Sequence, residues 1–421
     1  MQHQIDAEKL GPSGPAMAGV VQSCVHCGLC LSACPTYQVL GEEMDSPRGR
    51  IYLMKYVLEG ELPAADAQPY LDRCLGCWAC VPACPSGVAY GELLTHYRAA
   101  TAGQRQASWL DAATRKMLVE TLPYPGRFRK ALAAGRIGRA VQRLLPDAWR
   151  GMLDLLPAAV PQSDPLPDMF PARTRRRARV ALLTGCVQSV LAPEINWATL
   201  RVLAHNGVET IVPSAQGCCG AILMHLGEHE RARQLARHNM QVFPQDVDAI
   251  LTNAAGCGSG MHDYQRLFAG AEDQAVAEAF AARAQDVTVS LDQLGLEPPG
   301  PLPVPLRVAY HDACHLLHAQ GVRDQPRRLL AGVPNIELLE LNDGGMCCGS
   351  AGVYNLLQPE IARQLGDRKV ARILETGADA VVTGNLGCLT QIQAHLRRLS
   401  QDLPVYHTMT LLDRAYSAED A

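Results

Sequence analysis

A chain of 421 residues with 48% apolar side chains and a formal net charge of −4 holds material for two or three domains and carries no global field that would draw nucleic acid. Aromatic residues make up only 5%, too few for a base-stacking platform, and no apolar run approaches the roughly 20 residues that span a bilayer. Sixteen cysteines without an apolar leader point to a reducing compartment, by default the cytoplasm, with any membrane contact peripheral or through a partner.

Residues 1–20 are polar, then Gly- and Pro-bearing, and show no apolar periodicity; they read as an arm. A cluster domain follows over residues 21–100. It carries Cys24-Val25-His26-Cys27-Gly28-Leu29-Cys30-Leu31-Ser32-Ala33-Cys34-Pro35 and a second copy from Cys74 through Cys77, Cys80 and Cys84 to Pro85, both C-x-x-C-x-x-C-x-x-x-C-P. Three cysteines two residues apart wrap three corners of a [4Fe-4S] cube, while the fourth begins a helix and faces away. In two-cluster ferredoxins the fourth cysteine ligates the other cube. That assigns Cys24, Cys27, Cys30 and Cys84 to one cluster and Cys74, Cys77, Cys80 and Cys34 to the other. Zinc ribbons would leave half of these thiols unexplained, and cysteines two apart rarely pair as disulfides. Between the motifs, Ser46-Pro47 reads as a turn and Ile51 to Leu58 as a helix. Arg48 and Arg50 there either tune a cluster, meet a partner carboxylate or sit solvated on the surface. His26, inside a cluster loop, is expected to be exposed.

Residues 101–178 form a basic helical linker broken by Pro123, Pro125, Pro146, Pro157 and Pro161. Thr121 to Pro146 has no acidic residue but carries Arg127, Arg129, Lys130, Arg136, Arg139 and Arg143, with Phe128, Leu132, Val141, Leu144 and Leu145 between them. Such a helix suits an anionic membrane surface near the quinone pool, an acidic partner subunit, or packing on its own domain, with Gly135 and Gly138 weakening it. Arg173, Arg175, Arg176, Arg177 and Arg179 continue the basic theme.

The remainder is an internal repeat, residues 179–297 and 298–421. Arg179-Val180-Ala181 leading to Cys186 matches Arg307-Val308-Ala309 leading to Cys314, and Gly217-Cys218-Cys219-Gly220 matches Met346-Cys347-Cys348-Gly349. Asp248-Ala249 leading to Gly256-Cys257 matches Asp379-Ala380 leading to Gly387-Cys388. Pro298 to Pro305 is the linker between the copies. Strands are expected at Val180 to Leu183, Thr210 to Pro213, Ala249 to Thr252 and Val287 to Leu291, then at Val308 to Tyr310, Ile336 to Leu341, Ala380 to Thr383 and Val405 to Thr408. Continuous apolar strands between amphipathic helices predict parallel sheets covered on both faces. The fold class is therefore α+β and α/β: a two-cluster ferredoxin-type domain, a helical linker and two repeated α/β domains. Ligands gather at the carboxyl ends of parallel strands, where Cys186 and Cys257 should meet Cys218 and Cys219, and Cys314 and Cys388 should meet Cys347 and Cys348.

The C…CCG…C pattern resembles the cysteine-rich CCG domain, paired in heterodisulfide reductase and in several 2-hydroxy acid dehydrogenase subunits. Its last C-x-x-C position is Gly260 in copy one and Gln391 in copy two. The four cysteines left in each copy suit a different iron-sulfur cluster, a zinc ion or redox-active thiols. His311, His315 and His318 lie around Cys314 in copy two, as a ligand or proton relay or as packing at the strand-helix junction; copy one has Thr184 and Val187 where copy two has Asp312 and His315. Gly256-Cys257-Gly258-Ser259-Gly260 reads as a cluster loop rather than a dinucleotide fingerprint, so a flavin would come from another chain.

Over nearly its whole length the chain resembles the iron-sulfur subunit of glycolate oxidase, also called glycolate dehydrogenase. The match is carried by Cys24-Val25-His26-Cys27-Gly28, Cys34-Pro35-Thr36-Tyr37, Pro47-Arg48-Gly49-Arg50-Ile51, Asp72-Arg73-Cys74-Leu75-Gly76-Cys77, Pro85-Ser86-Gly87-Val88 and Tyr310-His311-Asp312-Ala313-Cys314-His315. The resemblance implies partner subunits that carry FAD and oxidise glycolate to glyoxylate. Electrons would then pass through this chain towards the respiratory quinone pool, with the protein cytoplasmic or peripheral on the cytoplasmic face of the inner membrane. Lactate or glycerol-3-phosphate dehydrogenase subunits and a heterodisulfide-reductase-like enzyme are the alternatives.

Overall fold

The computed structural model describes residues 3–138, 153, 156 and 159–417. The N-terminal stretch is not an arm. Pro15 opens a helix, Gly14–Ser23, whose Met17, Ala18, Val20 and Val21 are buried against helix Tyr90–Thr101. Proline fits a first helical turn, and four closely spaced apolar residues suffice once a partner helix supplies the other face.

Ser46 accepts a hydrogen bond from Gly49 N at 3.0 Å, so the next helix starts at Pro47 and runs to Leu58, ahead of the expected Ile51. Met17, Met54, Leu71, Leu93 and Tyr97 close the core of this domain around the cysteine loops.

In the linker, Ser108 caps helix Trp109–Thr121 and Pro125 begins helix Pro125–Gly138. Phe128 and Leu132 are buried with Leu118, Leu122 and Val190, so the described part of the basic helix spends its apolar face on its own chain rather than on a bilayer. Arg139, Val141, Arg143, Leu144, Leu145 and Pro146 lie outside the described residues. Past the linker helices, Met169–Phe170 forms a short strand, β1, antiparallel to the second strand of the first repeat.

The first repeat is a sheet of β1, β2 (Ala178–Leu183), β3 (Val208–Ile211), β4 (Ala249–Thr252) and β5 (Ala284–Asp286), ordered β1-β3-β2-β4-β5 and parallel apart from β1. The second has β6 (Leu306–His311), β7 (Ile336–Glu340), β8 (Ala380–Thr383) and β9 (Val405–His407), ordered β7-β6-β8-β9 and wholly parallel. Val180 pairs Thr210 and Ala249, as Val308 pairs Leu338 and Ala380, so the registers repeat as the sequences do. One expected strand is wrong: Val287 to Leu291 begins helix Val287–Leu294. Asp286 accepts from Thr288 N at 2.9 Å, a cap that turns the chain helical just after β5.

The copies interlock. Helix Thr408–Ser417, at the end of copy two, lies on helix Glu194–His205 of copy one, while Val287–Leu294, at the end of copy one, lies on Asp324–Ala331 of copy two. Arg201 grips Asp413 at 2.6 Å and Asn206 Nδ2 donates to Tyr416 Oη at 3.1 Å. One hydrophobic core runs through both copies, including Leu200, Leu203, Val308, Leu411 and Leu412.

Candidate metal centres

Both ferredoxin loops turn through left-handed backbone at matching positions: His26 and Gly28 (φ 56° and 81°), Gly76 and Trp78 (φ 63° and 60°). Glycine meets that demand freely; the other two hold it through ring packing. His26 is half-buried and packs its ring, tilted, against Tyr52 with centroids 4.1 Å apart, which corrects the expectation that it is exposed. Trp78 stacks on His315 at 5.6 Å. Cys34 caps helix Pro35–Leu40 as expected, whereas Cys84 leads into a turn and the helix after it starts only at Tyr90.

All sixteen cysteines are free thiols. Burial pushes Cys24 up and Cys30 up to about 11, and the charge of Cys84 adds to both. Burial likewise pushes Cys77 and Cys80 far up, with Cys34 and Cys74 among their charged neighbours. The fourth cysteine of each motif thus stands near two of the first three of the other: Cys84 near Cys24 and Cys30, and Cys34 near Cys77 and Cys80. Cys74 is half-buried; desolvation pushes its thiol up, but the Arg50 and Arg98 guanidiniums bring it below the usual range.

Arg50 is neither solvated nor aimed at a partner. Its side chain is buried, donating to Tyr70 O at 2.8 Å, Thr36 Oγ1 at 3.0 Å and Asp45 Oδ1 at 3.1 Å, with Cys34 Sγ at 3.8 Å. Arg48, partly exposed, pairs with Glu43 and donates to His26 O at 3.1 Å.

In copy one Cys186 follows β2, and its Sγ lies 3.3 Å from that of Cys218. Cys219 turns instead to Cys257, and contacts with Cys218 and Cys257 hold its thiol well below the usual range. Copy two repeats the arrangement, with Cys314 and Cys347 Sγ at 3.8 Å and Cys348 beside Cys388. Adjacent cysteines thereby face different neighbours. Gly256 to Gly260 is not a loop but part of helix Ala255–His262, whose first turn presents Cys257. A side chain at Gly260 would stand 2.7 Å from Ala221 Cβ, and Gln391 is held by Asn355 at 2.9 Å and by His395 at 3.2 Å, so neither replaces the missing cysteine. Both cysteine sets open onto one cavity of about 590 Å³, with Met117, Leu118, Phe128 and Leu132 on another wall.

The three histidines separate. His315 Nε2 meets Gly76 O at 3.0 Å and His318 Nε2 meets Gly345 O at 3.1 Å, so each is fastened to backbone through one ring nitrogen; burial pushes His315 down to about 4. His311 is not fastened: buried at the end of β6, it has no hydrogen-bonding partner at either ring nitrogen and stands within 4.8 Å of the Cys348 and Cys388 sulfurs. Sequence grouped the three around Cys314; only the strand register sets His311 apart. Tyr90 Oη, 3.6 Å from Cys74 Sγ, and Asn385 Nδ2, 3.4 Å from Cys388 Sγ, carry no motif and were not anticipated.

The donor set fits iron-sulfur chemistry: unpaired, mostly buried thiols grouped in fours, with further donors such as Gly220 N and Gly349 N directed at Cys218 and Cys347. Among the described residues no helix is long and apolar enough to cross a membrane. A 4Fe-4S dicluster domain model matches residues 20–88, and a cysteine-rich domain model matches 180–262 and 308–393. The glycolate oxidase iron-sulfur subunit of Escherichia coli (strain K12) is 35% identical over 95% of both chains, and the probable glycolate oxidase iron-sulfur subunit of Bacillus subtilis (strain 168) is 36% identical over 94% of both. One of the subunits of the fumarate reductase (CoM/CoB) of Methanothermobacter marburgensis is 35% identical over 57% of this chain and 47% of its own. With about a third of its positions identical to the first two over nearly the whole of each chain, the chain belongs to the glycolate oxidase iron-sulfur subunit family.

Proposed function

We propose that the chain is the electron-transfer subunit of a flavin-dependent glycolate dehydrogenase complex. It takes electrons from FAD-bearing partner subunits that oxidise glycolate to glyoxylate and delivers them towards the quinone pool at the cytoplasmic face of the inner membrane. Cys24, Cys27, Cys30 and Cys84 would hold one [4Fe-4S] cluster, and Cys74, Cys77, Cys80 and Cys34 the other. When bound, such clusters supply one-electron redox chemistry. The two repeats would hold a further iron-sulfur cluster or zinc on Cys186, Cys218, Cys219 and Cys257 and on Cys314, Cys347, Cys348 and Cys388.

The observation that carries the reading is contiguity. Cys77 and Cys314 are charge neighbours in one buried group with Leu75, Ala79 and Cys347, so the second ferredoxin motif abuts the second repeat. His315 fastens that seam to Gly76, and Tyr354 Oη donates to Arg73 O at 2.9 Å across it. These residues exclude water and fix spacing, the protein's share of an electron conduit.

The test is anaerobic purification of the native complex, followed by glycolate and optical and paramagnetic readout. Cluster reduction by glycolate, faster than by lactate or glycerol 3-phosphate, is expected. No reduction in a sample that responds to dithionite would overturn the reading. For the crossed ligation, Cys34→Ser is expected to damage the cluster on Cys74, Cys77 and Cys80; loss of only the first motif's signal would reverse the assignment.

A further inference from the structure

We infer that the second repeat binds its metal through an imidazole as well as thiolates, with His311 as the nitrogen ligand beside Cys348 and Cys388. The inference rests on the reading that this repeat holds a metal, and it adds the donor that makes the two repeats chemically unlike.

His311 ends β6, and its side chain is 1% exposed. Neither Nδ1 nor Nε2 has a hydrogen-bonding partner. An imidazole left buried and unsatisfied is destabilising, a cost that a metal bond removes. One ring nitrogen, Cys348 Sγ and Cys388 Sγ all lie within 4.8 Å of one another. Ligands of a tetrahedral zinc–thiolate–imidazole site stand roughly 3.5–3.8 Å apart, so an inward shift of about an ångström would close the set. Cys314 and Cys347, 3.8 Å apart, lie in the same repeat to complete it.

Other donors near the site are engaged. His318 Nε2 meets Gly345 O at 3.1 Å, His407 Nε2 meets Asn253 O at 2.8 Å, and Asp312 is held by the two terminal guanidinium nitrogens of Arg327 at 2.8 Å; His315 is fastened through Nε2 to Gly76 O, and its Nδ1, though without a partner, does not share the close group that His311 makes with Cys348 and Cys388. Gln391, in place of the absent cysteine, belongs to the Asn355 and His395 network. Copy one supplies the control. At the end of β2 the residue matching His311 is Leu183, also 1% exposed, so the same fold there offers thiols alone. Copy one is a four-sulfur site and copy two a sulfur–nitrogen site.

The test uses the full chain, prepared without oxygen and loaded in parallel with iron plus sulfide or with zinc alone. In the iron sample, pulsed paramagnetic resonance on protein grown with 15N-labelled histidine reads nitrogen coupled to a cluster; in the zinc sample, X-ray absorption at the zinc edge reads imidazole scattering. Bound histidine nitrogen in either wild-type sample, lost in His311→Leu, is the expected result. Nitrogen absent from both wild-type samples, or retained in His311→Leu, overturns the inference. Cys348→Ser and Cys388→Ser distinguish the two levels. If neither lowers the metal content, repeat two holds no metal and the underlying reading falls as well. If they lower it while wild type shows sulfur ligation only, the imidazole assignment alone is wrong.

Discussion

Arg50 shows how a single charge is kept inside this protein. Burial disfavours the guanidinium, yet the charges of Cys74, Tyr90, Cys34 and Asp45 raise its affinity for the proton overall, and Arg50 lines the second cluster site together with its contacts Thr36 and Cys34. The Arg50 and Asp45 side chains are 1% and 0% exposed, so Arg50→Met would leave the carboxylate with Arg73 as its remaining cation. The expected loss is about 3–5 kcal/mol, the usual result of removing one partner of a buried pair, read as a lower melting temperature of the loaded protein. Arg50→Lys keeps the charge but not the planar fork that reaches Thr36, Tyr70 and Asp45 together, and should fall between the two. His26 and Trp78 make a subtler case. Only glycine announces a left-handed backbone in sequence, so their strained positions emerge from the matching turns of the two loops. Replacing either by glycine is expected to keep cluster content but, for Trp78, to loosen the contact with His315, measurable as faster hydrogen exchange across the seam.

At the scale of an element, helix Val287–Leu294 turns on its cap. Burial pushes the Asp286 carboxyl up to about 6 from the usual 3.8. A raised carboxyl favours the folded state while protonated, so its contribution is complete below about pH 4 and is lost as pH rises through 6. Asp286→Asn keeps a good capping side chain and removes that loss. It should raise stability at pH 7 by about 3 kcal/mol, roughly two pKa units, and flatten the dependence of the urea midpoint between pH 4 and 7. Asp263, also raised to about 6 by burial, leaves a residual slope. The same helix marks the limit of the sequence pattern. Val287-Thr288-Val289 has a strand's composition, and a short apolar run is decided by what caps it, which residue type alone does not reveal. The central strands were legible because buried parallel strands are apolar on both faces, and the cysteine sites of the repeats because Cys186, Cys257, Cys314 and Cys388 each come just after such a strand. Helix Gly14–Ser23, strand β1 and helix Ala255–His262 were not. Their small or few apolar residues acquire meaning only against neighbours: helix Tyr90–Thr101, strand β3 and Ala221.

Across the whole molecule the two repeats stabilise each other through their exchanged end helices. Leu411 and Leu412, both 0% exposed, lie in the core that Leu200 and Leu203 also occupy. Leu412→Ala is expected to cost about 2–5 kcal/mol and to release amide protection in helix Glu194–His205 along with Thr408–Ser417. Loss confined to copy two would mean that the copies melt independently. The exchange also bears on descent. Two identical chains related by a two-fold axis must carry any substitution at both sites. Joined through Pro298–Pro305, the halves keep that mutual embrace yet are written by separate stretches of one gene, so position 311 holds histidine while position 183 holds leucine. The tether that looks like a mere spacer is what frees the half next to Cys77 to specialise without dragging its twin along.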